Sequence, residues 1–103
     1  KNKIRTPYVP NGYISSWAQY TILLDDSRQR DGLQKKLKEK GIPTNVYYSK
    51  PLHLQTVYLP LGYPKGSLPF SGEASERVLS LPMHPYMTED MVNEIASAII
   101  SEL

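Results

Sequence analysis

Cysteine is missing from this chain of 103 residues. Disulfide cross-links and thiol chemistry are thereby excluded, and two histidines are too few for a convincing zinc site. Long apolar runs are missing too. No stretch approaches the roughly 18 residues of a membrane-spanning helix, and the start from Lys1 to Arg5 leads into no apolar signal-peptide core. Without such segments or cysteines, the cytoplasm is the default compartment. Neither an internal repeat nor a low-complexity tract breaks up the chain, and the net charge of +2 is close to neutral.

What is present suits one domain and not two. An apolar content of 40% supports a real but small core, so stability is expected to be marginal. Nine prolines and eight tyrosines are many for this length. They concentrate outside the segments with helical periodicity, which suggests ordered loops carrying exposed rings.

Residues 1–16 hold Pro7, Pro10, Asn11 and Gly12 without periodicity and read as an extended lead-in. Trp17 to Leu24 is rich in aromatic and branched residues and predicts a strand, with alternation imperfect enough to allow burial on both faces. Asp25, Asp26 and Ser27 then offer cap chemistry for a helix from about Arg28 to Lys40, with Leu33 and Leu37 as a narrow apolar stripe. Gly41 is expected to end it in a left-handed cap, and Pro43 prevents it from resuming. Thr44 to Tyr48 is a second strand candidate.

Between residues 49 and 70, four prolines and two glycines mark a long loop of the kind that usually carries function or an interface. Pro51 could open a short helical turn through Leu54 and Gln55. Ser71 is expected to cap a short helix ending near Arg77, followed by a strand from Val78 to Leu81 that Pro82 stops. The last helix, 88–103, has Thr88 as cap and Glu89 and Asp90 in the first turn. Its apolar stripe is Met91, Val92, Ile95, Ala96, Ile99, Ile100 and Leu103.

Catalytic motifs are sparse. His53 and His84 lie in different segments, no serine sits in a nucleophile elbow, and no pair of carboxylates stands out. His84 reads as a packing or hydrogen-bonding residue. Gly62 and Gly66 lack the context and lysine of a phosphate loop. Arg28, Arg30, Lys35, Lys36, Lys38 and Lys40 spread around their helix, which fits a solvated face better than a nucleic-acid surface. Tyr47 and Tyr48 are more suggestive. On a strand they would point to opposite faces, so one ring must meet solvent, a partner or a ligand. Lys50, His53 and Gln55 follow at once on a proline-stiffened turn, a cluster suited to an anionic ligand such as a sugar nucleotide.

Four segments occur in the same order in one family: Ser16 to Ile22, Gly41 to Thr44, Tyr47-Tyr48 with Pro51 to Gln55, and Leu79 to Tyr86. The chain resembles the C-terminal part of the DegT/DnrJ/EryC1/StrS aminotransferases, over about Thr6 to Leu103. The likeness is greatest to members acting on UDP-linked 3-keto sugar acids for surface polysaccharide. It implies an amino-group transfer, usually from glutamate, to a keto group of a nucleotide-linked sugar, with pyridoxal phosphate as electron sink. In relatives the Schiff-base lysine and the aspartate facing the pyridine nitrogen lie in a larger N-terminal domain, and neither motif is found here.

Residues 1–16 are therefore expected to lead in from a missing large domain, with residues 17–103 forming the C-terminal small domain. Carried over by position, the family's substrate-facing aromatic pair falls on Tyr47 and Tyr48, and its Pro-x-Pro-Leu-His segment on Ser49 to His53. Ser49 replaces the first proline. Tyr47, Tyr48 and His53 are thus the substrate-binding candidates, while Trp17, Leu79, Leu81 and Pro82 read as structural. The expected fold is α+β: a small, mostly antiparallel sheet of 17–24, 44–48 and 78–81 with helices 28–40 and 88–103 on one face. The fragment is expected to carry no pyridoxal phosphate and to be inactive alone. Expected partners are the nucleotide sugar and glutamate in the parent, the large domain, and a second copy, since family members are commonly dimers. Nucleic acid and membranes are not among them. The competing reading is a stand-alone binding or interaction module from a truncated gene, using the tyrosine-rich loop.

Overall fold

The computed structural model describes residues 4–103. Three antiparallel strands form one sheet in the order β1 (Ile4–Arg5), β2 (Tyr20–Leu24) and β3 (Val78–Leu81). The central strand β2 pairs Tyr20 with Leu81 and Ile22 with Leu79 on the β3 side, and Leu24 with Ile4 on the β1 side. Strand alternation puts Tyr20, Ile22, Leu24, Leu79 and Leu81 on one face. Helices α1 (Ser27–Glu39) and α3 (Glu89–Glu102) cover that face with Leu33, Leu37, Ile95, Ala98 and Ile99. The expected α+β architecture is therefore present. Helix α2 (Pro69–Arg77) runs straight into β3 and borders the opposite face.

Both long helices start and stop where their end chemistry dictates. Asp26 Oδ1 accepts from the Gln29 N–H at 2.7 Å, and Thr88 Oγ1 from the Met91 N–H at 3.2 Å. Helix α1 ends in a Schellman motif: Ile42 N–H donates to Leu37 O and Gly41 N–H to Lys38 O, with Gly41 at φ 80°. Glu102 then ties the two helices together through Lys40 at 2.9 Å and Lys36 at 3.4 Å.

Three expectations need correction. The extended lead-in 1–16 is not among them: it includes the short strand Ile4–Arg5 paired with β2, and residues 1–3 lie outside the described residues. The strand expected over 17–24 begins only at Tyr20, since Trp17 adopts φ 51°, a left-handed conformation that breaks extended pairing. The short helix starts at Pro69 rather than being capped by Ser71, because proline is preset for a first helical position. Finally, 44–48 is not a strand. Only Asn45 bridges to β3, exchanging both backbone hydrogen bonds with Ser80 (3.0 and 2.8 Å).

The next outward-facing position of β3 explains why that pairing stops. Val78 has the same parity as Ser80, so its carbonyl points to the same outer edge. Arg30 Nη1 already donates to it at 3.1 Å, and to Ser75 O at 3.0 Å. The Arg30 guanidinium thus occupies the edge where a continuing strand would pair, and the chain turns away at Tyr47.

Candidate functional site

That turn decides where the two tyrosines go. Tyr47 and Tyr48 are 54% and 63% exposed, so both rings, not one, face outward. They rim a groove of about 270 Å³ on the sheet face opposite the core. Its floor is Thr21 and Ser80, paired across β2 and β3 with their hydroxyl oxygens 2.7 Å apart. Such a contact belongs to a non-hydrogen-bonded antiparallel pair, where side chains approach most closely. Gln19 and Pro51 complete the groove with Ser71, Ala74 and Ser75 of α2.

A second groove, of about 480 Å³, adjoins the first, sharing Pro51 and Ser75. Lys50 and Lys65 line it together with Glu73 and Glu76, and Ser49, Gly66 and Gly72 supply small walls. Glu73 is paired with Arg77, which also donates from Nε to Leu24 O at 2.7 Å. Gln55 Nε2 reaches Lys50 O at 3.4 Å and braces the connecting loop.

His53 behaves differently from the tyrosines. It lies in a single 3₁₀ turn, Leu52–Leu54, is only 7% exposed, and lines neither groove. Its Nε2 is buried without a hydrogen-bond partner, as is Thr44 Oγ1. His84 is exposed and its Nδ1 accepts from the Tyr86 N–H at 3.2 Å, a local role of the sort its sequence context suggests. The sequence reading missed Thr21, Ser80 and Gln19. A signal existed, because Thr21 and Ser80 are hydroxyl residues at the alternate positions of two otherwise apolar strands.

The fold defines a class first. The chain superimposes on fold type I sugar aminotransferases. It covers 96% of its own length and 26% of a DegT DnrJ EryC1 StrS aminotransferase from Brucella abortus, with TM-score 0.83 and 43% identity. On DesV from S. venezuelae, solved with a ketimine intermediate, the TM-score is 0.87 at 28% identity, over 97% of this chain and 26% of that one. The chain belongs to the DegT/DnrJ/EryC1/StrS aminotransferase family, whose sequence profile matches residues 2–100. It is 38% identical over 96 residues to the UDP-2-acetamido-2-deoxy-3-oxo-D-glucuronate aminotransferase of Pseudomonas aeruginosa, covering 93% of this chain and 25% of that protein. A "pleiotropic regulatory protein" of Geobacillus stearothermophilus is 44% identical over 94 residues, 91% of this chain and 24% of that protein. The chain thus spans about a quarter of the length of the relatives it matches.

Among the described residues, Lys35, Lys36, Lys38, Lys40, Lys50 and Lys65 are all exposed. Two of them are engaged with Glu102. Among the described residues no cluster of histidine and carboxylates could hold a metal ion, and no helix is long and apolar enough to cross a membrane.

Proposed function

We propose that this chain is the C-terminal small domain of a pyridoxal-phosphate-dependent aminotransferase acting on a nucleotide-linked keto sugar for surface polysaccharide. The observation that carries this reading is a family match over 2–100 that spans only a quarter of each relative. Residues 17–103 make up the domain, 1–16 join it to the large domain, and the cofactor lysine belongs to the latter. The named substrate of the Pseudomonas aeruginosa relative supports a UDP-linked 3-keto sugar acid.

In this role the chain binds and orients rather than transfers. Tyr47 and Tyr48 close over the sugar nucleotide. His53, buried in the turn that follows them, is the third substrate-side residue of this reading. In this reading the chain is inactive alone, which the exposure of every described lysine supports.

The test is to incubate the purified chain with pyridoxal phosphate, reduce with borohydride and map the peptides by mass spectrometry. Scattered, substoichiometric labelling of exposed lysines is expected. One stoichiometric adduct at a single lysine would overturn the reading. The exposed apolar rings also suit a second reading, a binding module in its own right. A start codon just ahead of Lys1 would favour that one.

A further inference from the structure

Resting on that reading of the chain, we propose that the parent protein lays a further α-helix in an apolar trough beside α3. The trough holds about 330 Å³ and lies on the core side of the sheet, away from both grooves. Ile4, Thr6, Tyr20 and Ile22 floor it, and one flank of α3 walls it. The sheet explains why the space is there. A helix is ~10 Å wide and neighbouring strands lie ~4.8 Å apart, so one helix covers about two strands. Helix α1 packs on β2 and β3, and α3 packs chiefly on α1. The β1 margin of the same face is left open.

The wall is shaped for a helix. Val92, Ala96 and Ile100 follow at intervals of four residues, so they stack as one ridge along α3. All three are exposed, Ile100 by 73%. Ala96 sits at the centre of the ridge, where its short side chain lets a second helix axis come close. A strand laid between α3 and the sheet face would find no backbone partner, whereas a helix satisfies its own.

No described element supplies that helix, even from a second copy. The occupant needs apolar residues on two adjoining sides, one for the α3 ridge and one for the sheet floor. Helix α3 has only the one free ridge, since its other exposed sides carry Asn93, Glu94, Ser97 and Ser101. Helix α1 exposes Arg28, Lys35, Lys38 and Glu39. The chain spans about a quarter of its relatives, which leaves most of the parent to provide the occupant. In that parent, the segment running into β1 arrives at the trough's own floor. Helix-to-strand connections of roughly 2–6 residues place a preceding helix directly over it.

The test puts the photo-crosslinking residue p-benzoylphenylalanine in place of Ile100 in the full-length parent. Isotopically light and heavy chains are mixed, irradiated, and their adducts mapped by mass spectrometry. Adducts are expected within one chain, on the apolar side of a helix in the roughly 30 residues ahead of Lys1. Adducts to any other part of the parent, adducts joining light to heavy chains, or none at all would overturn the inference. Ile100→Glu gives a second readout. It should lower the urea midpoint of the parent, where the new charge is buried, and leave that of the 103-residue chain unchanged. The same response in both would also count against a covering helix. Either failure leaves the parent reading standing, because that reading is judged by the borohydride labelling. A start codon just ahead of Lys1 would instead remove the parent, and this helix with it.

Discussion

Removing the Arg30 guanidinium would strand two carbonyls at once, those of Ser75 and Val78, at the junction where α2 becomes β3. Arg30 is buried despite its charge, with Asp31 Oδ1 at 2.6 Å from Nε as its counter-ion. Arg30→Met is therefore expected to lower stability by about 2 kcal/mol, the scale of lost charge-assisted hydrogen bonds, seen as a lower urea midpoint. Tyr48→Ala should change stability by less than about 0.5 kcal/mol and so barely move that midpoint, because the ring is exposed. At this scale the sequence was only partly legible. Leu33 and Leu37 read correctly as a buried stripe, and Arg30 continues their spacing by one turn. Its charge placed it among the solvated basic residues, since burial of an arginine depends on carbonyls 45 residues away.

Elements were legible where their end signals are local. Gly41 is an example: Gly41→Ala forces a side chain into φ 80° and should cost about 1 kcal/mol, again read from the urea midpoint. Thr88 and the 78–81 strand were equally plain. Strand 44–48 was not, because its aromatic and branched residues satisfy β propensity, while pairing is refused by an edge already occupied by Arg30. Two-residue β1 is too short to show any period. The α1–α3 tie adds a pH dependence. The Lys40 hydrogen bond, with Lys36 in support, lowers the Glu102 pKa below its ordinary 4.5. A lowered carboxylate pKa means stability present above the unfolded value and lost as pH falls through the folded one. Acid unfolding between pH 7 and 3 should therefore flatten slightly in Glu102→Gln relative to the unaltered chain, as followed by circular dichroism.

Family likeness made the whole molecule legible as a small α+β unit, but not how much of its surface would remain uncovered. The chain exposes 7850 Å², against about 5,900 Å² for a free-standing monomer of this mass. Its radius of gyration is 15.4 Å, where about 13 Å is usual at this length. Part of the excess is apolar. Only Ile99 of the α3 stripe is fully buried, while Met91, Val92 and Leu103 are partly open and Ile100 is 73% exposed. With β1 and β2, Val92, Ile99 and Ile100 wall the apolar trough of about 330 Å³. Contiguous apolar surface of this kind drives association in water. Sedimentation velocity on the chain should show average mass rising with concentration. Ile100→Glu, which places a charge on that trough without touching the buried side of α3, should hold the mass at the monomer value and leave the urea midpoint unchanged. A chain that stays monomeric at all concentrations, or an Ile100→Glu variant that unfolds, would mean that the trough is already satisfied within this fold.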